Sequence, residues 1–259
     1  MLRIVLIGAG NVGTHLGRRL QECGLPVWQV YSRRRERAQA LARELQAQAT
    51  DRWSEIQKNA ELYMLAVSDD AIAEVAGRLL DRLPADAFVV HTSGATPSTV
   101  LRDFRRHGVF YPLQTFSRER PVDFSTVPIC VSAHQPEDEA LLEELARQIS
   151  GKTARINDRE RAILHVAAVF VNNFANHCFQ IGYEVAQREN LSFELLQPLI
   201  QETARKIVGQ VPAEVQTGPA IRGDVETIQR HLDYLAATEN PHRELYRLLS
   251  KSINPFLEV

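Results

Sequence analysis

The chain has 259 residues, 44% of them hydrophobic and 24% charged, with a formal net charge of −2. That length allows one large domain or two modest ones with a core that needs no staples. The near-neutral balance excludes bulk attraction to nucleic acid or anionic lipid, and the composition excludes long disorder.

The apolar start, Met1 to Ile7, runs into Gly8 too soon for a signal-peptide core and is far short of the ~20 residues that span a bilayer. No other segment reads as a membrane span. Cys23, Cys130 and Cys178 are far apart and form no C-x-x-C pair. Neither a disulfide framework nor a metal site is expected, and free thiols point to a reducing, cytoplasmic location.

Ile4 to Ile7 reads as a fully buried parallel strand. Val12 to Cys23 is the predicted helix after it. A strand over Pro26–Tyr31 and a helix over Arg35–Gln48 follow. The next pairs are a strand over Leu62–Val67 with a helix over Asp70–Leu83, and a strand over Phe88–His91 with a short helix over Pro97–Arg106. Val109–Tyr111 and Ile129–Ser132 read as strands, Pro136–Ser150 as a helix, and Lys152–Ile156 as the last strand. Strands alternating with helices imply βαβ units in a parallel sheet with helices on both faces.

Strand signals stop at Asp158, which is placed to cap a helix of roughly 30 residues ending near Glu189. Its middle is apolar almost all round, so it must be covered on several sides. The short remainder of the chain can hardly do that alone, which points to a homodimer through the C-terminal helices. Further helices are predicted over Phe193–Gly209, Asp224–Ala237 and His242–Phe256. The fold class is therefore α/β followed by an all-α domain, with domains at 1–157 and 158–259.

Gly8-Ala9-Gly10-Asn11-Val12-Gly13 matches G-x-G-x-x-G between the first strand and first helix, the context that a Rossmann dinucleotide fingerprint requires. Gly8 permits the turn, Gly10 leaves room for a pyrophosphate, and Gly13 lets the helix approach the sheet. Asn11 and Val12 open the helix, whose free N–H groups face the phosphates. An NAD site carries an acid at the end of the second strand. Here that strand runs into Ser32-Arg33-Arg34, whose hydroxyl and guanidinium groups suit a ribose 2′-phosphate. NADP(H) is the expected cofactor. Val67 and Ser68 end the third strand on the ribose side of the same edge, where Asp69 and Asp70 have a second reading as helix-start residues.

His91, Thr92, Ser93 and Gly94 end the fourth strand at that edge. His91 is read as a cofactor contact and Ser93 as a substrate contact, with a histidine buried for packing as the other reading. Phe110 to Phe116 is an aromatic loop able to floor a pocket, with Gln114 a candidate substrate contact. His165, Asn172 and Asn176 fall on one face of the long helix. His165 is a candidate proton carrier and Asn172 a candidate orienting group, while Asn176 is read as a substrate contact; a polar seam is the alternative. In the turn from Gln216 to Asp224, Thr217 and Arg222 are candidate substrate contacts. Arg222 either holds an anion or pairs with Asp224.

The glycine motif, His91-Thr92-Ser93-Gly94-Ala95, Tyr111-Pro112-Leu113-Gln114-Thr115-Phe116, the segment His165 to Phe174 and the turn Gln216 to Asp224 occur in this order. The set resembles a bacterial family of NADP oxidoreductases with a Rossmann-like domain and a C-terminal helical domain of unknown function. That family is similar to pyrroline-5-carboxylate reductase, deazaflavin-dependent NADP reductase and the β-hydroxyacid (6-phosphogluconate dehydrogenase-like) dehydrogenases. The resemblance implies dimers built by the C-terminal helices and a second domain like that of 6-phosphogluconate dehydrogenase. One departure stands out: no lysine lies between Lys152 and Lys206, so the catalytic lysine of the β-hydroxyacid dehydrogenases is missing and His165 is its nearest substitute. The sequence thus predicts an NADP(H)-dependent oxidoreductase acting on a small carbonyl, imine or hydroxy acid. A non-enzymatic NADP(H) sensor is the alternative. A methyltransferase is disfavoured by the arginines at the end of the second strand.

Overall fold

The structure, a computed structural model, describes residues 2–259. Strand β1 (Ile4–Ile7) has no accessible surface at any of its side chains, which is why its sequence shows no polar alternation. Its neighbours in chain order are β2 (Val27–Tyr31), β3 (Gln48–Thr50), β4 (Leu62–Leu65), β5 (Phe88–His91), β6 (Arg106–Pro112), β7 (Ile129–Ala133) and β8 (Thr153–Arg155). They form one sheet in the order β3-β2-β1-β4-β5-β6-β7-β8.

All pairings are parallel except β6 with β7. The sequence reading of a parallel sheet is corrected at that pair. A parallel return needs a helical crossover, and the connection 113–128 holds only a single turn of 3₁₀ helix, Phe124–Thr126. The chain therefore comes back antiparallel.

Helices α1 (Asn11–Glu22), α2 (Arg35–Glu44), α3 (Asp69–Leu80) and α4 (Pro136–Ile149) cover the sheet. Alternate residues of β1 feed opposite layers. Ile4 and Leu6 join Leu16, Leu41 and Leu142 in one cluster. Val5 and Ile7 join Ile72, Leu79 and Phe104 in the other. Each such fully buried aliphatic side chain contributes about 2 kcal/mol.

Two predicted helices are shorter than expected. The first stops at Glu44, because Gln46 turns left-handed (φ 54°) and releases the chain into β3, a strand the sequence reading missed. The predicted helix over Pro97–Arg106 is only a 3₁₀ turn, Ser98–Leu101, after which β6 begins at Arg106. Ser98 gives both its N–H and its hydroxyl to Asp158 at 2.8 Å, fixing the start of that turn.

Helix α5 (Asp158–Ala168) is capped not by Asp158 but by Asn157, which forms a capping box with Glu160. Asp158 instead serves the fold with Arg161, which is buried despite its charge. The Arg161 guanidinium donates to Asp158 Oδ1 at 2.7 Å and to the Thr96 carbonyl at 2.5 Å. This pair pins α5 to the loop after β5. A π turn, Val169–Phe174, follows α5 and leads into α6 (Ala175–Arg188). The predicted uninterrupted helix is therefore broken in register. With i→i+5 bonding in the turn, residues seven apart no longer share a face, so His165 and Asn172 are not stacked as the spacing suggested.

The chain divides into two compact units, residues up to Asn172 and Asn173–Val259. Strands end with β8, before α5; the units part later, inside the long helix. The second unit contains α6, α7 (Gln197–Lys206), the short α8 (Pro219–Arg222), α9 (Val225–Ala237) and α10 (Arg243–Ile253). Its small core holds Ala220, Ile228, Leu232 and Leu257. Arg188 ties α6 to the Thr238 carbonyl at 2.5 Å, and Tyr234 donates to Glu189 at 3.0 Å.

Candidate active site

The strand order reverses around β1, whose neighbours β2 and β4 carry the chain to opposite sides. Ligands of such sheets bind at the carboxyl edge of this switch point. There Gly8 turns at φ +118°, and a side chain on it would collide with the Ala66 carbonyl. At Gly10 an added Cβ would meet no protein atom within 4 Å, so its outer side is open space. Gly10 caps α1 without a side-chain bond. The first amides of that helix, at Asn11, Val12 and Gly13, have no intrahelical partner. This is a ready anion site. Gly13 itself packs under Gly8, and the Asn11 side chain is spent on the Phe116 carbonyl at 2.8 Å.

A cleft of about 320 Å³ opens here and gathers Gly8, Gly10, Ser32, Arg33, Arg34, Val67 and Ser68, which the sequence had assigned together. It also brings in Arg37, Trp53 and Arg78, which the sequence reading missed. Arg37 was legible as the residue one helical turn beyond Arg33. Trp53 follows the unrecognised β3 and was not. Its ring lies 4.1 Å from that of Tyr31, and the Arg78 guanidinium sits 5.7 Å above it, a platform of π faces. Among the described residues no carboxylate lies within ion-pair distance of Arg33, Arg34 or Arg37, whereas Arg35 reaches Asp51 at 3.9 Å and Arg78 pairs with Glu74 at 3.0 Å. Ser32 Oγ accepts from the Arg34 amide at 3.2 Å, which shapes the turn. Asp69 and Asp70 occupy the first turn of α3, where the helix dipole favours acids.

The loop after β5 forms a second cluster. His91 has no accessible surface, and its ring holds the loop. Its Nδ1 accepts from the Ser93 amide at 3.2 Å, while Nε2 has no partner. Burial, reinforced by the charge of Arg161, pushes the His91 pKa down to about 4. Ser93 is likewise a loop former: its Oγ accepts from the Ala95 and Thr96 amides at 3.1 and 2.9 Å.

Gly94 is where this loop meets α5. A Cβ there would sit 2.7 Å from His165 Nδ1 and 2.8 Å from the Tyr111 hydroxyl. Only glycine lets those two polar groups approach, and they lie 3.5 Å apart. His165 is half-buried and Tyr111 is buried, with its pKa raised by burial. Tyr111 was noticed only as part of an aromatic loop; its partnership with His165 spans 54 residues and has no local signal. Gln114 is exposed and bonds the Thr115 amide at 2.8 Å.

Residues 3–94 match the family described as NADP oxidoreductase, coenzyme F420-dependent, and residues 127–253 match a domain of unknown function, DUF2520. No curated protein matches the chain. A putative NADP oxidoreductase of Bacteroides fragilis, BF3122, is 41% identical, with 98% of each chain covered and a TM-score of 0.92. The chain belongs to this NADP oxidoreductase family. The Thermotoga maritima protein TM1727 (24% identity, 97% of each chain, TM-score 0.74) shares its fold. So does a reductive aminase of Aspergillus terreus in complex with NADPH and ethyl-5-oxohexanoate (16% identity, 98% of this chain and 93% of that one, TM-score 0.71).

The cofactor of this NADP oxidoreductase is NADP(H), and the residues fit it. The open side of Gly10 and the unclaimed amides of α1 suit the pyrophosphate. The arginines without carboxylates suit the 2′-phosphate, which a doubly charged anion needs and a bare ribose hydroxyl does not.

The remaining candidates lie elsewhere in the chain. Asn172 is exposed in the π turn. Asn176, Thr217 and Arg222 belong to the second unit and are exposed there. Asp224 caps α9 through the Thr227 amide at 3.1 Å, and the charge of Arg222 is a lesser cause of its lowered pKa. Of the sequence-predicted substrate residues, Ser93 and Gln114 lie in the first unit, in the segments that follow β5 and β6.

His91 makes the loop sensitive to acid. Its folded pKa of about 4 lies below the ordinary 6.5, so between those values only the unfolded chain binds the proton. Stability is full above pH 6.5 and falls by roughly 3 kcal/mol toward pH 4. His91→Asn keeps an acceptor for the Ser93 amide and removes the titration. Urea unfolding at pH 7 and pH 4.5 is expected to show a smaller acid loss in this variant than in the parent; an equal loss would assign the sensitivity elsewhere.

Proposed function

We propose that the protein transfers hydride between NADP(H) and a small carbonyl, imine or hydroxy-acid substrate, with His165 carrying the accompanying proton. The observation that supports this reading is the approach of His165 to Tyr111 under Gly94 at the carboxyl edge of β5 and β6. The cofactor, when bound, supplies or accepts the hydride at its nicotinamide. Tyr111 stays protonated because burial raises its pKa. A phenol both donates and accepts, so it holds His165 Nδ1 in either protonation state and leaves Nε2 to exchange the proton. Asn172, in a π turn of the kind frequent at functional sites, orients the substrate. The keto group of the ligand bound to the Aspergillus terreus enzyme is consistent with carbonyl or imine chemistry.

A sensor that binds NADP(H) without turnover is favoured by one feature, the absence of any lysine between Lys152 and Lys206. Loss of the nicotinamide absorbance of NADPH against a panel of keto acids and cyclic imines separates the two. We expect sustained turnover with at least one class and a loss of about 10²-fold or more in His165→Ala. Redox-selective binding with no turnover would establish the sensor instead, and full turnover in His165→Ala would remove His165 from the mechanism.

The proposal extends to assembly and location. The helical run Asp158–Arg188 has 31 residues and holds an 18-residue window with a mean hydropathy of 1.2, long and apolar enough by length and composition to cross a bilayer. Asn172, Asn173, Asn176 and His177 in its middle would be costly in lipid. A second copy of the chain is the better cover for a helix on which Ile163 is 60% and Val171 75% exposed. The free cysteines, with the Cys130 thiol pKa pushed up by burial, suit the reducing cytoplasm. Sedimentation in detergent-free buffer is expected to give a dimer, with Val171→Glu weakening it at least tenfold. A monomeric parent, or one soluble only with detergent, would contradict this assembly.

A further inference from the structure

The connection between β6 and β7 is fastened to the glycine-rich loop. The Phe116 carbonyl accepts from Asn11 Nδ2 at 2.8 Å, and the Ser117 carbonyl lies 2.9 Å from His15 Nε2. The Phe116 ring packs on that of His15 at 5.3 Å and on Phe124 at 5.7 Å. The strap so fixed delivers the next side chain, Arg118, to the middle of the glycine motif, where its guanidinium donates to the Ala9 carbonyl at 3.3 Å.

Arg118 is exposed, and its placement is mildly unfavourable for the protein alone. Arg118 stands beside the positive end of α1, where the helix dipole disfavours a cation. Among the described residues no carboxylate lies within ion-pair distance of it, and one long bond to a neutral carbonyl uses little of a group with five donors. An anion between the helix amides and the guanidinium would satisfy both. Arg33, Arg34 and Arg37 line the cleft from the end of β2 and the start of α2, so they serve a different phosphate.

We propose that Arg118 is a binding residue for the diphosphate bridge of the dinucleotide, which it would hold together with the α1 amides. The inference rests on the NADP(H) reading of the site and adds a residue from outside the glycine motif and the 2′-phosphate cluster.

Calorimetric titration with three probes tests it without any substrate. Adenosine 2′-monophosphate carries the 2′-phosphate without a diphosphate, ADP-ribose carries the diphosphate without a 2′-phosphate, and NADP⁺ carries both. Arg118→Ala and Arg118→Gln are expected to weaken NADP⁺ and ADP-ribose by roughly tenfold or more. Both variants should leave adenosine 2′-monophosphate within about twofold of the parent protein, and Arg118→Lys should recover part of the loss. Arg33→Ala should show the complementary pattern, losing adenosine 2′-monophosphate and sparing ADP-ribose. Unchanged NADP⁺ affinity in both Arg118 variants would overturn the assignment. Equal losses across all three probes would also overturn it, by showing that the strap only supports the fold. A parent protein that binds none of the three would instead sink the NADP(H) reading itself.

Discussion

At the carboxyl end of β1 the backbone turns through a left-handed glycine and presents the first amides of α1 to open space, and the rest of the first unit is arranged around that anion site. The turn needs Gly8 because the Ala66 carbonyl occupies the place of a Cβ, and it needs Gly13 because Gly8 lies directly beneath. Gly8 and Ala66 directly follow β1 and β4, strands buried on both faces, so the geometry is held from the core. A protein with a net charge of −2 cannot attract a polyanion in bulk. It does so locally, by leaving arginines without carboxylate partners beside those amides.

A second tight approach shapes the carboxyl edge of β5 and β6. Gly94 allows the His165 imidazole and the Tyr111 hydroxyl to meet, and the buried Arg161 holds both sides of that junction through Asp158 and Thr96. The same charge helps to keep His91 neutral. A buried ion pair of this kind is weak evidence for stability as such. Its value here lies in fixing α5 against the loop after β5.

Much of this was legible in the sequence because the signals were local. The strand–glycine–helix pattern and the Ser32-Arg33-Arg34 ending each occupy consecutive residues, and the structure gathers them in one cleft. What the sequence hid was set at a distance or by register. β3 was missed, and its first residue was read into a helix, because nothing in Arg35–Gln48 announces the left-handed turn at Gln46. The antiparallel β7 depends on a missing crossover rather than on its own residues. Trp53 enters the cleft only because β3 exists. His91 and Ser93 had the composition of ligand contacts, yet burial and turn bonds commit them to the loop. The π turn at Val169–Phe174 leaves no mark in the hydrophobic pattern, which is apolar almost all round there apart from Asn172 and Asn173.

The account stands on a dianionic phosphate being chosen by the arginine edge of the cleft. Calorimetric titration of the parent protein with NADP⁺ and NAD⁺ under identical salt tests this most directly. The arrangement predicts that the phosphorylated dinucleotide binds on the order of 100-fold more tightly, a margin that narrows as salt is raised. Equal affinity, or a preference for NAD⁺, would contradict it.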